Sequence, residues 1–500
     1  METESSDNLE DGVLVNLSKA ELLAMIAAMS QTNSAMSKTI SDLEKQIQEL
    51  KNKNPTDRLD EEYSLRSEEK RKKKKRKKKS QALRSGRVKT IDKIAMAHRT
   101  DQVFPDGVDQ KLCQLSHTRV AWRIEEGKAV LIAYEIYRYG KKFGKPAGLI
   151  GRGEFGIEIL ISLAYQVYCI GISIDKACEV LQFFQELKLT KSQSDSLLNQ
   201  LARYWEPEFE TLCTLLANSA VVHCDETSWS INSVWAFLTE QLTVVFHGVH
   251  KDGATLQKII DKTVFKGVMV SDNAAIYQGF NCSQKCWAHL IRKAIKLTLQ
   301  APDNQEYRDF TDELLALYCQ AKRSAADGRL NDAGRAKRVV DLNCKLVALC
   351  ATRYANKSTE GSDVENDYRR LVNEIMRLKI AGELFVFVTT AGVEGTNNVS
   401  ERALRDSAKD RRTGRTNKTA KGAKRQTVLT SVLRTLLKQT PGIVLGELIK
   451  QVNQWQLEGR SCFAVQAAKL GFTQARAPTQ EGSLVDRVVL QADVKVLPPL

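Results

Sequence analysis

Apolar residues return every seven positions near the N-terminus: Leu22, Met29, Met36, Leu43 and Leu50 mark one seam, and Ile26, Asn33, Ile40 and Ile47 mark the complementary one. Such a repeat keeps a stripe facing a partner helix, so the pattern predicts a coiled coil of about four heptads within residues 1–51. Ser18 and Glu21 fit a capping box at its start and Pro55 follows its end. The polar Asn33 in the seam favours a fixed register and a dimer. Periodicity then stops, and residues 52–90 read as a charged, flexible linker. Between residues 119 and 145 apolar and charged side chains alternate, with Trp122, Ile124, Val130, Ile132, Tyr134 and Ile136, which predicts a small strand-rich module within 91–150. Helical spacing replaces alternation over 157–168, 174–186 and 190–204. A break at Gly171 with Ser173 and Asp175 beyond it makes 151–218 a helical region that permits a helix-turn-helix-like DNA-binding arrangement; a helical hairpin serving only as core is the alternative.

Short β-prone runs follow at 221–225, 234–239 and 242–249, joined by tight connections at Asn232-Ser233 and Glu240-Gln241. A helix over 254–261 separates them from a further strand at 267–271. Three antiparallel strands, a helix and a fourth strand form the opening order of an RNase H-like fold, so the expected class is α/β. In this reading 219–298 is the first part of the catalytic domain. Residues 299–388, rich in Ala, Leu, Arg, Glu and Asp, are a helical insertion. Residues 389–458 complete the domain and 459–500 form a C-terminal tail.

Two of the apolar runs end at a carboxylate, Asp225 and Asp272, and a third, Glu401, falls on a helix expected to begin near Asn398. A buried strand that stops at a carboxylate delivers it to the end of a sheet, where loops and ligands meet. Phosphodiester chemistry needs an activated oxygen nucleophile, a stabilised leaving oxygen and relief of phosphoryl charge, and two magnesium ions meet these needs with oxygen ligands. Asp225 is expected to bridge the metals, with Asp272 and Glu401 completing one side each and manganese as a substitute ion. Glu226 adjoins Asp225, but strand alternation turns it to the opposite face. Cys282, Cys286 and His289 have the spacing of one helix side and invite zinc, without a clear fourth ligand. His289 alternatively contacts phosphate or water near the metals. Trp229, Trp235 and Trp287 suit either core packing or stacking on a flipped base.

The net charge of +15 is uneven. Residues 70–79 are ten consecutive Lys or Arg, leaving +5 for the rest, and residues 402–425 carry a net +8. Polyphosphate is the natural counter-ion, since phosphate contacts release condensed cations and bind with little sequence preference. The expected DNA contacts are Lys72, Lys73, Lys74, Lys75 and Arg76 in the first run, and Arg402, Arg405, Lys409, Arg411, Arg412 and Arg415 in the second. Eleven scattered cysteines argue against a disulfide framework. No stretch approaches about 18 apolar residues and the N-terminus carries Glu2, Glu4 and Asp7, so the expected location is the cytoplasm, without a membrane partner.

The segments His223-Cys224-Asp225-Glu226-Thr227, Val270-Ser271-Asp272, 286–293 (Cys-Trp-Ala-His-Leu-Ile-Arg-Lys) and 397–405 (Asn-Asn-Val-Ser-Glu-Arg-Ala-Leu-Arg) resemble the bacterial DDE transposases of the insertion sequence sixty-six family. The resemblance spans most of residues 150–435 and extends to the leading coiled coil and the lysine-rich linker. It implies an RNase H-like catalytic domain that cuts and joins the ends of its own mobile element. Asp225, Asp272 and Glu401 become the catalytic triad, and Asn397, Asn398 and Arg402 orient Glu401 or grip DNA beside it. Double-stranded DNA, a second copy of the chain and accessory proteins of the same element are the implied partners. The chain departs from the family's pattern in two places: Cys113 stands alone between residues 51 and 168, where many members carry a cysteine-rich segment, and Asp406 follows the Glu401 motif where Pro is usual. Two other classes remain open: a non-catalytic dimeric DNA-binding regulator derived from a transposase, and a nuclease that hydrolyses DNA without strand transfer.

Overall fold

The computed structural model describes residues 19–52, 88–354, 363–472 and 483–489. The chain divides into two compact units, Met1–Arg87 and Val88–Leu500. In the first, helix α1 (Lys19–Asn52) runs for 34 residues and leaves Ile26, Met29, Met36, Ile40 and Leu43, five residues of the expected seams, exposed. The expected DNA contacts from Lys72 to Arg76 lie outside the described residues.

The second unit is mixed α/β with two mixed sheets. After α2 (Thr90–Ala95) come β1 (Arg99–Val103), β2 (Gln114–Glu125), β3 (Lys128–Tyr139) and β4 (Lys142–Phe143). The β2–β3 hairpin turns through Glu126 and Gly127, at φ 49° and 82°, the left-handed geometry of a two-residue loop whose twist matches its strands. β1 pairs parallel with the other edge of β3, an addition that alternation between residues 119 and 145 did not foretell.

Helices α3 (Ile157–Tyr165), α4 (Ile174–Gln185), α5 (Lys191–Tyr204) and α6 (Glu206–Ala217) follow. α5 opens with a capping box in which Thr190 and Gln193 satisfy each other's backbone N–H groups. Ala177 and Leu181 of α4 and Leu197, Leu198 and Leu201 of α5 enter the main core, while Phe183 and Phe184 of α4 are exposed.

The second sheet contains β5 (Val221–Ser228), β6 (Ser233–Leu238), β7 (Thr243–Val249), β8 (Val268–Ser271) and β9 (Ser283–Lys285), in the order β7-β6-β5-β8-β9. The first three are antiparallel, α7 (Gly253–Ile259) lies between β7 and β8, and β8 and β9 run parallel to β5. One expectation is corrected here. β5 does not stop at Asp225; it continues to Ser228 because β6 pairs with it to the register Ser228↔Ser233. Its pairing with β8 nevertheless ends at His223↔Val270, so Asp225 still lies past the end of its parallel neighbour.

Alternation along these strands decides the layers. Val222, Cys224, Trp235, Phe237, Val244, Phe246 and Met269 face the main core with α3, α5 and α6. Val268 and Val270 face the other way, into a second core built by α8 (Trp287–Gln300), α9 (Gln305–Ala326), α10 (Asp332–Tyr354), α11 (Asp363–Ile380) and the short α12 (Val386–Thr389). On that same side Val234, Ala236, Leu238 and Val245 meet Leu404 of α13 (Asn398–Arg412). The described chain closes with α14 (Ala420–Gln439), α15 (Leu445–Glu458), α16 (Cys462–Lys469) and α17 (Leu484–Val489).

An edge strand exposes a row of backbone groups that invite another chain. Here α14 covers β7 with three hydroxyls spaced four residues apart. Thr435 Oγ1 accepts from Thr243 N at 3.1 Å and donates to Thr243 O at 3.0 Å. Ser431 Oγ accepts from Val245 N at 2.9 Å and donates to Val245 O at 3.2 Å, and Thr427 Oγ1 accepts from His247 N at 2.9 Å. The approach is close enough that Gly248, at φ 73°, would place an added Cβ 2.9 Å from Ala423 Cβ. Among the described residues no helix is long and apolar enough to cross a membrane, and none of the eleven cysteines is in a disulfide.

Candidate active site

Three carboxylates from distant parts of the sequence converge at the C-terminal end of β8. Asp225 lies on the overhanging part of β5, Asp272 directly follows β8, and Glu401 occupies the first turn of α13. The residue preceding each of the two aspartates, and the residue one turn before Glu401, are cross-linked by hydrogen bonds. Asn397 Nδ2 donates to Cys224 O at 2.7 Å, Asn397 N donates to Cys286 Sγ at 3.1 Å, and Cys286 N donates to Ser271 O at 2.9 Å. Asn397 is fully buried and its carbonyl accepts from Glu401 N at 3.2 Å, so it sets the start of α13 against β5. Of the two asparagines expected to support Glu401, Asn397 therefore serves as the tie, whereas Asn398 is exposed.

The carboxylates crowd one another electrostatically. Burial pushes the Asp225 carboxyl up to about 7, and the charges of Glu226, Asp272 and Glu401 add to the shift, while its bond from Glu226 N opposes it. Oδ1 of Asp272 accepts from Ala274 N at 2.9 Å, which fixes the loop leaving β8. Glu401 receives Arg292 Nη2 at 2.8 Å and lies 3.7 Å from His289 Nε2. Glu226 takes the opposite side of β5, as alternation requires, with Lys251 Nζ at 2.7 Å and the Tyr277 hydroxyl as partners. It therefore faces away from the expected ligand set.

A cavity of about 290 Å³ opens beside Asp272, lined among others by Lys285, Cys286, His289, Lys293 and Glu374. A larger hollow, about 960 Å³, lies between α9 and α10 and is lined by none of the three carboxylates. Lys285 is buried beneath the site, 3.1 Å from Ser271 Oγ and 3.4 Å from Tyr277 O, and burial lowers its ammonium below the ordinary value. Glu374 of α11 accepts from Asn273 Nδ2 at 2.6 Å and from Lys293 Nζ at 2.6 Å, and Arg377 Nη2 donates to Asn273 Oδ1 at 2.5 Å. These bonds join the helical segment to the residue after Asp272, a role for Glu374 and Arg377 that no local motif signals.

The basic residues of α13 and of the loop after it divide. Arg402, Arg405, Lys409 and Arg412 are exposed on the helix that carries Glu401. Arg411 donates to Ser228 O at 2.9 Å, and Arg415 pairs with Asp410 at 3.0 Å and also donates to Gly171 O. Those last two hold protein groups in this structure. The tryptophans are core: Trp235 and Trp287 are fully buried and Trp229 nearly so. The expected zinc trio is regrouped: Cys286 and His289 come together with Glu401, all ligand atoms within 4.8 Å, and Cys282 is not among them.

Carboxylate oxygens are donors that a hard divalent cation takes, and its charge would relieve the repulsion that Asp225 meets from Asp272 and Glu401. A family model described as Transposase IS66 family matches residues 152–425, more than half of the chain and inclusive of every residue of this site. No curated protein matches the chain.

Proposed function

The chain belongs to the IS66 family of transposases, and on that premise we propose that it cleaves DNA at the ends of a bacterial insertion sequence and joins the freed 3′ hydroxyl to target DNA. The observation that carries this reading is the meeting of Asp225, Asp272 and Glu401 at one sheet end, with Asn397 tying the elements that bear the first and last. The strand order, with β8 parallel beside β5, supports an RNase H-like catalytic domain interrupted by the helical segment. Asp225, Asp272 and Glu401 would hold two magnesium ions, which supply an activated oxygen nucleophile and charge relief at the phosphate.

The other residues prepare that chemistry. Arg292 neutralises Glu401, and the exposed Arg402, Arg405, Lys409 and Arg412 present positive charge along the helix leading away from it. The run at 70–79 adds a sequence-independent hold on DNA. The exposed apolar seam of α1 supports assembly of at least two chains, which matches the need to hold two DNA ends together.

The test is nicking of labelled duplex carrying the element's own ends, with Mg²⁺ or Ca²⁺, for the native chain and Asp225→Ala, Asp272→Ala and Glu401→Ala. The proposal expects Mg²⁺-dependent cuts lost in each variant. DNA binding without cuts, unchanged by the substitutions and with accessory factors supplied, would assign the chain to the regulators instead.

A further inference from the structure

Beside the oxygen ligands lies a second donor set of different chemistry. Cys286 is the N-cap of α8 and His289 lies in that helix's first turn, so three residues of spacing bring thiol and imidazole to one side. Glu401 reaches the same point from α13, and the ligand atoms of all three lie within 4.8 Å of one another. Zinc bonds of about 2.0–2.3 Å put tetrahedral ligand atoms roughly 3.5 Å apart, a contraction that side-chain rotation supplies.

Burial raises the Cys286 thiol above its ordinary value, although the backbone N–H groups of Asn397, His289 and Ala288 face its Sγ and oppose the rise, so the free thiol keeps the proton that a metal would displace. One further feature points to a ligand. The Nδ1 atom of His289 is buried without a hydrogen-bond partner, an orphaned polar atom that a native structure rarely leaves unexplained. Thiolate, carboxylate and neutral imidazole sum to two negative charges, which a divalent ion cancels.

We propose that Cys286, His289 and Glu401 bind one thiophilic divalent cation, of the zinc class, and that its occupancy withdraws Glu401 from the magnesium-binding carboxylates and so inhibits strand cleavage. The ligand set stands on its own; the inhibitory role rests on the transposase reading. Sulfur and nitrogen donors select against magnesium, so the ion does not duplicate the catalytic metals. Binding displaces the thiol proton to solvent and exchanges the Arg292 pair of Glu401 for a metal bond, with no change of oxidation state.

The test uses the full-length chain and Co²⁺ as a spectroscopic probe. One Co²⁺ per chain is expected, with a sulfur-to-cobalt absorption band that disappears in Cys286→Ser and weakens at least tenfold in affinity in His289→Ala. A band unchanged in Cys286→Ser overturns the site. Zinc-edge X-ray absorption of the native chain guards against a misfolded variant: one sulfur among nitrogen and oxygen neighbours is expected, and a shell without sulfur or with two overturns it. Zn²⁺ titrated against excess Mg²⁺ should then lower native cleavage at least tenfold, with each variant compared to its own zinc-free rate and His289→Ala markedly less sensitive. Equal sensitivity overturns the inhibitory role. A native chain that shows the cobalt band yet never cuts DNA overturns the transposase reading and leaves the metal site standing.

Discussion

Asp225 is the residue in which fold and chemistry conflict most. Its carboxyl is raised from 3.8 to about 7 in the folded metal-free chain. A raised folded value means that its stabilising contribution is complete below pH 3.8 and is lost as pH climbs through about 7. The loss is at most about 4 kcal/mol. Divalent metal should therefore raise the melting temperature more at pH 8 than at pH 5.5, and Asp225→Asn should stabilise the metal-free chain at pH 8 while abolishing that metal response. Thermal unfolding at the two pH values, with and without Mg²⁺, checks the sign. Asn397→Ala removes the bond to Cys224 O and frees the start of α13, so cleavage should fall on the order of 10²-fold through misplacement of Glu401. Single-turnover rates read this directly. The three carboxylates were legible because each closes an apolar run or sits in a compact motif. The task of Asn397 was only half legible, because its partner lies 173 residues away and only folding brings them together.

At the scale of elements, four strands of the second sheet, β5 to β8, announced themselves through apolar runs, whereas their lengths and the polar β9, Ser283–Lys285, did not. β5 outruns its apolar stretch because pairing with β6 stabilises Glu226 to Ser228 as strand whatever their polarity. The hydroxyl row of α14 was equally silent in the sequence: Thr427, Ser431 and Thr435 carry no motif, and all three are buried against β7. Each substitution there leaves a buried backbone N–H without its partner. Ser431→Ala should cost about 1–3 kcal/mol, measured as a lowered denaturation midpoint at unchanged slope. The same chain should also self-associate more readily, since the edge of β7 loses its cover. Light scattering below the unfolding transition would record it. The basic stretch after Glu401 was legible as charge and not as function, since hydrogen bonds to Ser228 and an ion pair with Asp410 engage Arg411 and Arg415 within the protein.

For the whole molecule, the chain divides into two compact units at Arg87 and Val88, and the expected linker over 52–90 falls across that division. The heptad segment forms the long helix α1, on which Ile26, Met29, Met36, Ile40 and Leu43 are exposed. Replacing Met36 and Ile40 by Asp should lower the assembly state, read by sedimentation equilibrium, with the helical signal of the remainder retained. Neutralising Lys72, Lys73, Lys74, Lys75 and Arg76 should weaken DNA binding uniformly across sequences and flatten the salt dependence by up to about 0.9 for each phosphate that is no longer neutralised. Both changes leave the carboxylate centre in place, and that centre is the claim on which the account depends. Its most direct test is strand joining: labelled element ends, target DNA and Mg²⁺, with Asp225→Asn, Asp272→Asn and Glu401→Gln as near-isosteric substitutions. The account predicts joined products from the native chain and none from any of the three variants, with DNA affinity kept. Joined products from even one neutralised variant at the native rate would contradict it.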